Sequence, residues 1–307
     1  MFGSARGAAA RNDHAACSGC SLCLLVCPVW RSTHDPRMTP EGRAKALQHG
    51  APVSEVAASV RACQLCGACE PVCPEKIDLV GMTLDLRMRL ADSAAATALQ
   101  SQMKENAARS PAPSDASAVF LAGSALRAIP GSVARVAALL DAFACADDGA
   151  DIIQAFEAGI SIPGQRLEGF LAHLRPAQTV IVEDGLWIRL LRQWLPRARV
   201  VGLGEALSRL QAVRRSLRKT DLYVIEPRAY HGDYERLVRH YDGLRAERGC
   251  AFNLDLQRIA IPAQAQAAWI LKGLRVDRIV VESQDDAEAF VRHGGYPVVH
   301  AAELADH

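Results

Sequence analysis

The 307-residue sequence predicts two domains of different fold class: an all-helical first domain and an α/β second domain with a mostly parallel sheet. Two features mark the first domain. Eight of the ten cysteines lie between residues 17 and 73, and the segments around them have helical rather than strand character. Beyond residue 118, short apolar strands alternate with helical stretches, which is typical of α/β domains. We therefore expect an α domain joined to an α/β domain.

The eight cysteines form two copies of the pattern C-x-x-C-x-x-C-x-x-x-C-P. The copies comprise Cys17, Cys20, Cys23 and Cys27, and Cys63, Cys66, Cys69 and Cys73. Bacterial ferredoxins hold [4Fe-4S] clusters with this spacing: three thiolates two residues apart bind one cluster, and the fourth cysteine binds the neighbouring cluster. The spacing predicts two [4Fe-4S] clusters as the cofactors. By this crossover, the ligands are Cys17, Cys20, Cys23 and Cys73 for cluster 1, and Cys63, Cys66, Cys69 and Cys27 for cluster 2.

Zinc binding and disulfide formation are the alternative interpretations of these cysteines. A structural zinc site needs four ligands, commonly as two C-x-x-C pairs, and uses neither a third cysteine at this spacing nor the proline. A single C-x-x-C is also found in redox dithiols. Cys145 and Cys250 stand apart from the motifs and give no disulfide framework, so we expect both to be buried as small apolar side chains.

The segment between the two motifs is expected to be helical. It includes RMTPEGRAKALQHG and PVSEVAASVRAC, with helix-start signals at Thr39-Pro40 and at Ser54. From Leu79 to about Arg109 the sequence predicts a further helix followed by an alanine-rich stretch. No stretch in this region resembles the strands of a small two-cluster ferredoxin.

Residues 14 to about 90 resemble the α-helical ferredoxin module of three groups of proteins: succinate dehydrogenase iron–sulfur subunits, the C subunit of heterodisulfide reductase, and the iron–sulfur subunit of glycolate oxidase. In the last group a Pro-x-Gly-Arg turn typically follows the first motif, and it is matched here by Pro40, Glu41, Gly42 and Arg43. The resemblance implies that residues 1–110 form an α-helical ferredoxin domain with two [4Fe-4S] clusters.

A domain linker is predicted over residues 111–117, where SPAPSDAS places two prolines and three serines in a short run. The α/β domain then extends over residues 118–307 and repeats itself at an offset of about 98 to 104 residues. In the first part of each repeat, a strand at Ala118–Leu121 and a helix at Val133–Phe143 correspond to Leu222–Ile225 and Tyr234–Leu244. The strands that follow are at Thr179–Asp184 and Arg199–Leu207, and at Arg278–Ser283 and Pro297–Leu304. The repeat predicts a pseudo-twofold domain.

This layout resembles the paired cysteine-rich (CCG) domains that follow the ferredoxin module in glycolate oxidase iron–sulfur subunits. The same domains form the B subunit of heterodisulfide reductase, and their cysteines bind redox-active iron–sulfur chemistry. Here other residues stand at the corresponding positions, namely Gly123-Ser124 and Pro227-Arg228 after the first strands, and Glu183-Asp184 and Glu282-Ser283 after the later ones. Since serine and arginine cannot replace a soft thiolate ligand, the resemblance implies a degenerate CCG domain without its own cluster.

A dinucleotide site is a weaker alternative for the second domain. Gly202 and Gly204 follow a strand and open a helix, and Glu226 ends the next strand, but Leu207 stands where the fingerprint needs a third glycine. The corresponding segment of the second repeat, VVHAAEL, contains no glycine. The chain geometry therefore does not depend on binding a phosphate, and we expect no nucleotide site.

Charge and hydropathy exclude other classes of function. The formal net charge is +1, and nothing in its distribution suggests a nucleic-acid partner. No apolar run approaches the roughly 18 residues of a membrane span, and the first sixteen residues lack the apolar core of a signal peptide. We therefore expect a cytoplasmic protein without a membrane span. No hydrolase triad, zinc-protease motif or P-loop occurs, so no catalytic residue is predicted.

The leading hypothesis is an iron–sulfur electron-transfer subunit of an oxidoreductase complex, not itself catalytic. Its expected partners are a flavoprotein dehydrogenase or reductase subunit and a downstream electron acceptor. Resemblance to glycolate oxidase implies a complex that acts on a 2-hydroxy acid. The alternatives are a subunit of a heterodisulfide-reductase-like complex, or an iron–sulfur subunit with a structural role in assembly.

Overall fold

The computed structural model describes residues 14–90, 93–108, 115–264 and 266–306. These residues form two compact units. The first contains the described residues up to 90 together with Phe156–Ile160, and the second contains the remaining described residues. Of the predicted linker, residues 111–114 lie outside the described residues, and the division into domains 1–110 and 118–307 stays a prediction.

The first unit is built from short helices, and no strand occurs between residues 14 and 90. Its α-helices are α1 (Leu22–Val26), α2 (Pro28–Thr33), α3 (Pro40–Gln48), α4 (Ala57–Ala62) and α5 (Leu79–Arg89). Three 3₁₀ turns accompany them, at His14–Ala16, Pro36–Met38 and Val53–Val56. The helical character predicted for this part of the sequence is therefore confirmed.

One of the two predicted helix starts between the motifs is correct. Thr39 caps α3, and Pro40 occupies the first turn, where its missing N–H costs no hydrogen bond. The start predicted at Ser54 is wrong, because the 3₁₀ turn Val53–Val56 comes first and α4 begins only at Ala57. Pro52 stands before that turn in an extended conformation, and its carbonyl accepts the tighter hydrogen bond from the Glu55 N–H.

A small hydrophobic core holds the helices of the first unit together. Val60 of α4 and Met82 and Leu86 of α5 are buried in one cluster, which also contains Cys73 and Ile77. The cluster fixes the segment after the second cysteine motif against the helices that lie between the motifs. These packed side chains therefore support the loops that carry the cysteines.

The second unit contains two four-stranded sheets in which every strand pairing is parallel. The first sheet is ordered β2-β1-β3-β4 and consists of β1 (Ala118–Leu121), β2 (Phe143–Ala144), β3 (Thr179–Val182) and β4 (Arg199–Gly202). The second is ordered β6-β5-β7-β8 and consists of β5 (Asp221–Val224), β6 (Ala251–Phe252), β7 (Arg278–Val281) and β8 (Val298–His300). The α/β class with parallel strands is confirmed, and the identical strand order agrees with the predicted repeat.

Helices surround the strands of the second unit. Those that precede β4 are α6 (Ser93–Ala108), α7 (Ser124–Arg127), α8 (Ser132–Leu139), α9 (Ala150–Ala158), α10 (Gly164–Leu174) and α11 (Leu186–Trp194). The later ones are α12 (Leu203–Arg209), α13 (Gln211–Ser216), α14 (Pro227–Gly232), α15 (Tyr234–Arg248), α16 (Ala267–Leu271) and α17 (Gln284–His293), before a 3₁₀ turn at Ala301–Asp306. Over the described ranges, no helix combines the length and the apolarity that crossing a bilayer requires.

The helix predicted over Val133–Phe143 is too long at its C-terminal end. The observed α8 ends at Leu139, and Asp141 takes a left-handed conformation with φ of 48° that turns the chain. Phe143 is thereby free to pair with Val119 as part of β2. Strand β5 also lies one residue earlier than predicted, at Asp221–Val224.

The alternation of side chains along the central strands divides the core of the second unit. Tyr223 of β5 packs in one cluster with Phe120 of β1 and Ile181 of β3, so both sheets contribute to this cluster. Its neighbours Leu222 and Val224 point into a separate cluster that is closed by α16 and α17. The two repeats therefore share one core, which makes them a single folding unit.

Candidate iron–sulfur centre

The eight motif cysteines line two separate cavities in the first unit. One cavity of about 400 Å³, here called the Cys63 cavity, is bordered by Cys27, Cys63, Cys66 and Cys69. The other, of about 350 Å³ and here called the Cys17 cavity, is bordered by Cys17, Cys20, Cys23 and Cys73. Each cavity thus receives three cysteines from one motif and the fourth from the other motif. These are the two groups that the crossover predicts, and the occupancy of each by a cluster stays a prediction.

The cysteines stand around the walls of the cavities instead of converging on one point. Within the described parts of the chain, no three His, Cys, Asp or Glu side chains are arranged to hold a single metal ion. Eight sulfur donors in two groups of four suit the soft ligand set of an iron–sulfur cluster. The donor chemistry therefore fits two [4Fe-4S] clusters.

The backbone of the two motifs adopts the same unusual conformation. The second residue after the first cysteine of each copy is left-handed, with φ of 79° at Gly19 and 54° at Leu65. The fourth residue after it is also left-handed, with φ of 63° at Ser21 and 74° at Gly67. Alternation of this kind turns successive backbone N–H groups towards one concave side, where they attract anionic groups such as iron–sulfur clusters. Both loops are therefore shaped alike.

The fourth cysteine of the first motif leaves its loop because of the proline that follows it. Cys27 is extended, with φ of −75° and ψ of 120°, as a residue before proline prefers. Pro28 then opens α2. This change of direction carries Cys27 away from the Cys17 cavity and into the Cys63 cavity.

The start of helix α3 stands between the two cavities, and Pro40 borders both. The Thr39 hydroxyl accepts the Gly42 N–H at 3.1 Å and donates to the Pro36 carbonyl at 2.6 Å. A Cβ at Gly42 would lie 2.1 Å from that Pro36 oxygen, so only glycine fits at this close approach. The Pro-x-Gly-Arg turn is thus anchored by the Thr39 hydroxyl and by the close approach of Gly42 to Pro36.

Arg43 brings a buried positive charge to the Cys63 cavity, where its side chain is only 1% exposed. One guanidinium nitrogen lies 3.6 Å from the Cys63 sulfur and 2.9 Å from the Thr83 hydroxyl, and the other donates to Ser59. Burial raises the pKa of the Cys63 thiol most strongly, but the charges of Arg43 and Arg87 and the hydrogen bonds from Arg43 and the Leu65 N–H together outweigh it, and the pKa lies below its usual range. Arg43 therefore stabilises a thiolate at Cys63.

Two carboxylates border the Cys17 cavity, Glu41 and Glu75. Burial raises the pKa of the Cys23 thiol to about 12; the Glu41 N–H donates to the sulfur and opposes this shift, whereas the Glu41 carboxylate adds to it. Lys45 also lies near, with its Nζ 2.9 Å from the Cys17 carbonyl and 2.8 Å from the Gln48 side chain. The electrostatic surroundings of the two cavities therefore differ.

Sequence reasoning assigned no role to Glu41 or Arg43 beyond their match to a family turn. Their position two residues apart at the start of a predicted helix could have indicated that they serve different sites. Since a step of two residues turns a helix by about 200°, their side chains must point to opposite sides. The structure places Glu41 on the Cys17 cavity and Arg43 on the Cys63 cavity.

In the second unit, a buried glutamate follows the third strand of each repeat. Glu183 accepts the Gly123 N–H at 2.7 Å, and Glu282 accepts the Glu226 N–H at 2.9 Å. Gly123 and Glu226 occupy equivalent positions beyond the first strand of each repeat. Burial raises the pKa of both glutamates to about 7. Each carboxyl thus fastens one strand end to its neighbour.

The glycines that suggested a dinucleotide site have a packing role. A Cβ at Gly204 would lie 1.9 Å from the carboxyl carbon of Glu282, so the glycine makes room for that carboxyl. The Glu282 side chain also accepts the Tyr241 hydroxyl at 2.7 Å. The position of Gly204 is therefore explained by the contact between α12 and the second sheet.

Cys145 and Cys250 are each 4% exposed, as predicted from their isolation in the sequence. Burial raises the pKa of each thiol to about 11, so both remain protonated at neutral pH. They pack as small apolar side chains in the second unit.

The family of 4Fe-4S dicluster domains matches residues 13–77, a segment that includes all eight motif cysteines. No curated protein matches the chain, and no solved structure matches it. The family match agrees with the cysteine spacing and with the donor set around the cavities. The first part of the chain is therefore a 4Fe-4S cluster-binding domain, and the chain is an iron–sulfur protein.

Proposed function

We propose that this chain is an electron-transfer subunit that accepts electrons from a flavoprotein dehydrogenase or reductase subunit and passes them singly to a downstream acceptor. The observation that carries the proposal is the grouping of eight cysteines into two sets of four around separate cavities. [4Fe-4S] clusters supply one-electron chemistry when they are bound. We assign the two cavities to the two clusters according to their bordering cysteines.

The protein contributes position and exclusion of water. Leu79 and Pro40 border both cavities, so the two sites share a wall and lie next to each other. Leu65, Val29 and Val80 border the Cys63 cavity and are almost fully buried. Adjacent sites with apolar walls support transfer between them and protect a bound cluster from solvent.

A 2-hydroxy acid is the proposed substrate class of the flavoprotein partner, by resemblance to the glycolate oxidase iron–sulfur subunit. The heterodisulfide-reductase alternative has less support, because that chemistry uses cysteines at positions where this chain has Glu183 and Glu282. Both glutamates accept backbone hydrogen bonds and serve the packing of the second unit. In this proposal the second unit is a platform for assembly with the partner subunits.

Iron content tests the two-cluster assignment. Protein reconstituted and purified without oxygen should hold about 8 iron atoms per chain, the content of two cubanes. Cys20→Ser and Cys66→Ser each alter one set of ligands, and each should remove or perturb one cluster and leave the spectrum of the other unchanged. Cys145→Ser is the matched control and should keep the full iron content. About 4 iron atoms in the unaltered chain would contradict the assignment.

Stopped-flow reduction distinguishes electron transfer from a structural role. Reduced flavin mononucleotide, used as the donor, should bleach the visible absorption of the clusters rapidly, and ferricyanide should restore it through repeated cycles without loss of iron. A structural role would instead leave the clusters oxidised under the same flavin, or would release iron on reduction. The comparison uses the full chain, so that the second unit is present.

A further inference from the structure

The charged side chains near the two cavities are of opposite net sign. Near the Cys63 cavity are two cations, Arg43 and Arg87, and one carboxylate, Glu70. Arg87 donates to the Cys63 carbonyl. Near the Cys17 cavity are two carboxylates, Glu41 and Glu75, and one cation, Lys45. The formal charge of these groups is +1 around the first cavity and −1 around the second.

We propose that the Arg43 and Glu41 side chains give the two clusters unequal reduction potentials, so that the cluster in the Cys63 cavity is reduced first. The proposal rests on the proposed function, in which each cavity holds one [4Fe-4S] cluster. Reduction adds one negative charge to a cluster. A nearby cation therefore raises the reduction potential and a nearby carboxylate lowers it.

Arg43 has the strongest effect because its charge is buried and no carboxylate in the described part of the chain pairs with it. Across the described residues, Arg43 forms no ion pair with a carboxylate, and its Nε has no hydrogen-bond partner. Its hydrogen bonds go to the neutral groups of Ser59 and Thr83 and to the Cys63 sulfur. A buried charge is screened less than one in water, so its field acts more strongly on the cavity.

The groups of opposite sign are less effective at each cavity. Glu70 adds to the effect of burial in raising the pKa of Cys69, but its Oε1 accepts the Val80 N–H at 2.9 Å, which spreads its charge. Lys45 points its Nζ at the Cys17 carbonyl and at Gln48, and it does not border the Cys17 cavity. The positive charge of Arg43 therefore has the larger effect at the Cys63 cavity, and the negative charge of Glu41 has the larger effect at the Cys17 cavity.

The fold makes the charge difference a property of one helix turn. Glu41 and Arg43 lie on opposite sides of the start of α3, and Pro40 between the cavities fixes that start. Gly42 permits the close approach to Pro36 that holds the turn in place. A single anchored turn therefore presents a carboxylate to one cluster and a guanidinium to the other.

Potentiometric titration followed by electron paramagnetic resonance tests this inference on the reconstituted full chain. Arg43→Gln should lower the midpoint of one cluster so that its reduced-to-oxidised ratio at a fixed potential falls at least tenfold, about 59 mV for one electron. Glu41→Gln should raise the midpoint of the other cluster. Arg43→Lys, which keeps the charge, should restore most of the shift. Arg61→Gln, an exposed change on α4, is the matched control and should move neither midpoint.

Cys20→Ser assigns the signals, because it perturbs only the cluster of the Cys17 cavity. Equal shifts of both clusters, or no shift with full iron content, would overturn the inference. If Arg43→Gln loses its cluster, Glu41→Gln decides: an unchanged midpoint in the Cys17 cavity overturns the inference, and a raised one supports it. Failure of the proposed function is distinct, since it would appear as iron deficiency in the unaltered chain.

Discussion

Ser21 and Leu65 adopt left-handed backbone conformations, which cost a residue other than glycine about 1–2 kcal/mol. Each has a glycine partner at the equivalent step of the other motif, since Gly67 corresponds to Ser21 and Gly19 to Leu65. The same strained shape is therefore retained in both loops although the residue types differ. Such strain persists where the surrounding structure requires the conformation.

A pair of substitutions tests whether cluster binding requires these left-handed conformations. Ser21→Gly should keep the iron content and stabilise the protein by about 1 kcal/mol, because Ser21 is exposed and glycine removes the left-handed cost. Gly67→Ala should lower the iron content, because it adds that cost in a buried loop. Iron analysis and chemical denaturation measure both effects. Equal behaviour of the two variants would show that the loop conformation does not matter for cluster binding.

At the residue scale, the spacing of the cysteines along the chain predicted the two groups of four that border the cavities, and their binding of two clusters stays a prediction. It could not predict the burial of Arg43, which depends on Ser59 and Thr83 from two other parts of the fold. The same applies to Glu183, whose partner Gly123 is far away in sequence. Contacts over such separations follow from tertiary packing and leave no local pattern.

At the scale of the element, helix α3 depends on a close backbone contact in its first turn. Gly42→Ala should destabilise the first unit by about 1–3 kcal/mol, because the added Cβ would lie 2.1 Å from the Pro36 carbonyl oxygen. We expect this variant to lose iron during purification. Iron content and thermal unfolding followed by circular dichroism measure the effect.

Gly243→Ala is the matched control for this variant. Gly243 lies inside α15, is exposed, and a Cβ there would meet no atom within 4 Å. Alanine should therefore stabilise that helix by about 0.5–1 kcal/mol and leave the iron content unchanged. Destabilisation by both changes would indicate that the result at Gly42 does not depend on its contact with Pro36.

Elements with a strong local signal were predicted well, and elements that depend on pairing were not. The start of α3 at Thr39-Pro40 follows from capping chemistry and was correct. Strands β2 and β6 are only two residues long and lack any period, so no pattern could reveal them. A turn at Asp141 separates α8 from β2 and requires a left-handed backbone conformation. No local sequence pattern predicts that conformation at this position.

At the scale of the whole molecule, buried carboxyl groups concentrate at the strand ends of the second unit. Burial raises the pKa of Glu226 to about 8, with a further contribution from the Asp184 charge. Burial likewise raises the pKa of Glu183, Glu282 and Asp286 to about 7. These groups stay protonated in the folded unit at a pH where they ionise in the unfolded chain.

The stability of the second unit should therefore decrease as the pH rises from about 4.5 to about 8. In this window the unfolded state binds fewer protons than the folded state, so the free energy of unfolding falls with pH. Glu226→Gln, which cannot ionise, should weaken that dependence, whereas exposed Glu288→Gln should leave it unchanged. Chemical denaturation at pH 5 and pH 8, followed by tryptophan fluorescence, measures the difference. Stability that rises across this range would contradict the prediction.

The internal repeat was visible in the sequence because its strands recur at a nearly constant offset. The structure adds that each repeat forms its own four-stranded sheet and that both sheets contribute to one core. This arrangement was not predictable. The sequence shows that Leu222, Tyr223 and Val224 alternate between the two faces of the strand, but it does not show which distant elements pack against each face. Periodicity identifies the strands but not which surfaces meet.

The exchange of Cys27 and Cys73 between the two cavities has a consequence for how the protein matures. A cluster in the Cys17 cavity would join Cys73 to Cys23 and so close a loop of about 50 residues, which in an unfolded chain lowers the entropy by an amount equivalent to about 4 kcal/mol. A cluster in the Cys63 cavity would join Cys27 to Cys63 and close a second loop inside the first. Each cluster inserted during maturation would therefore also hold the two motifs together.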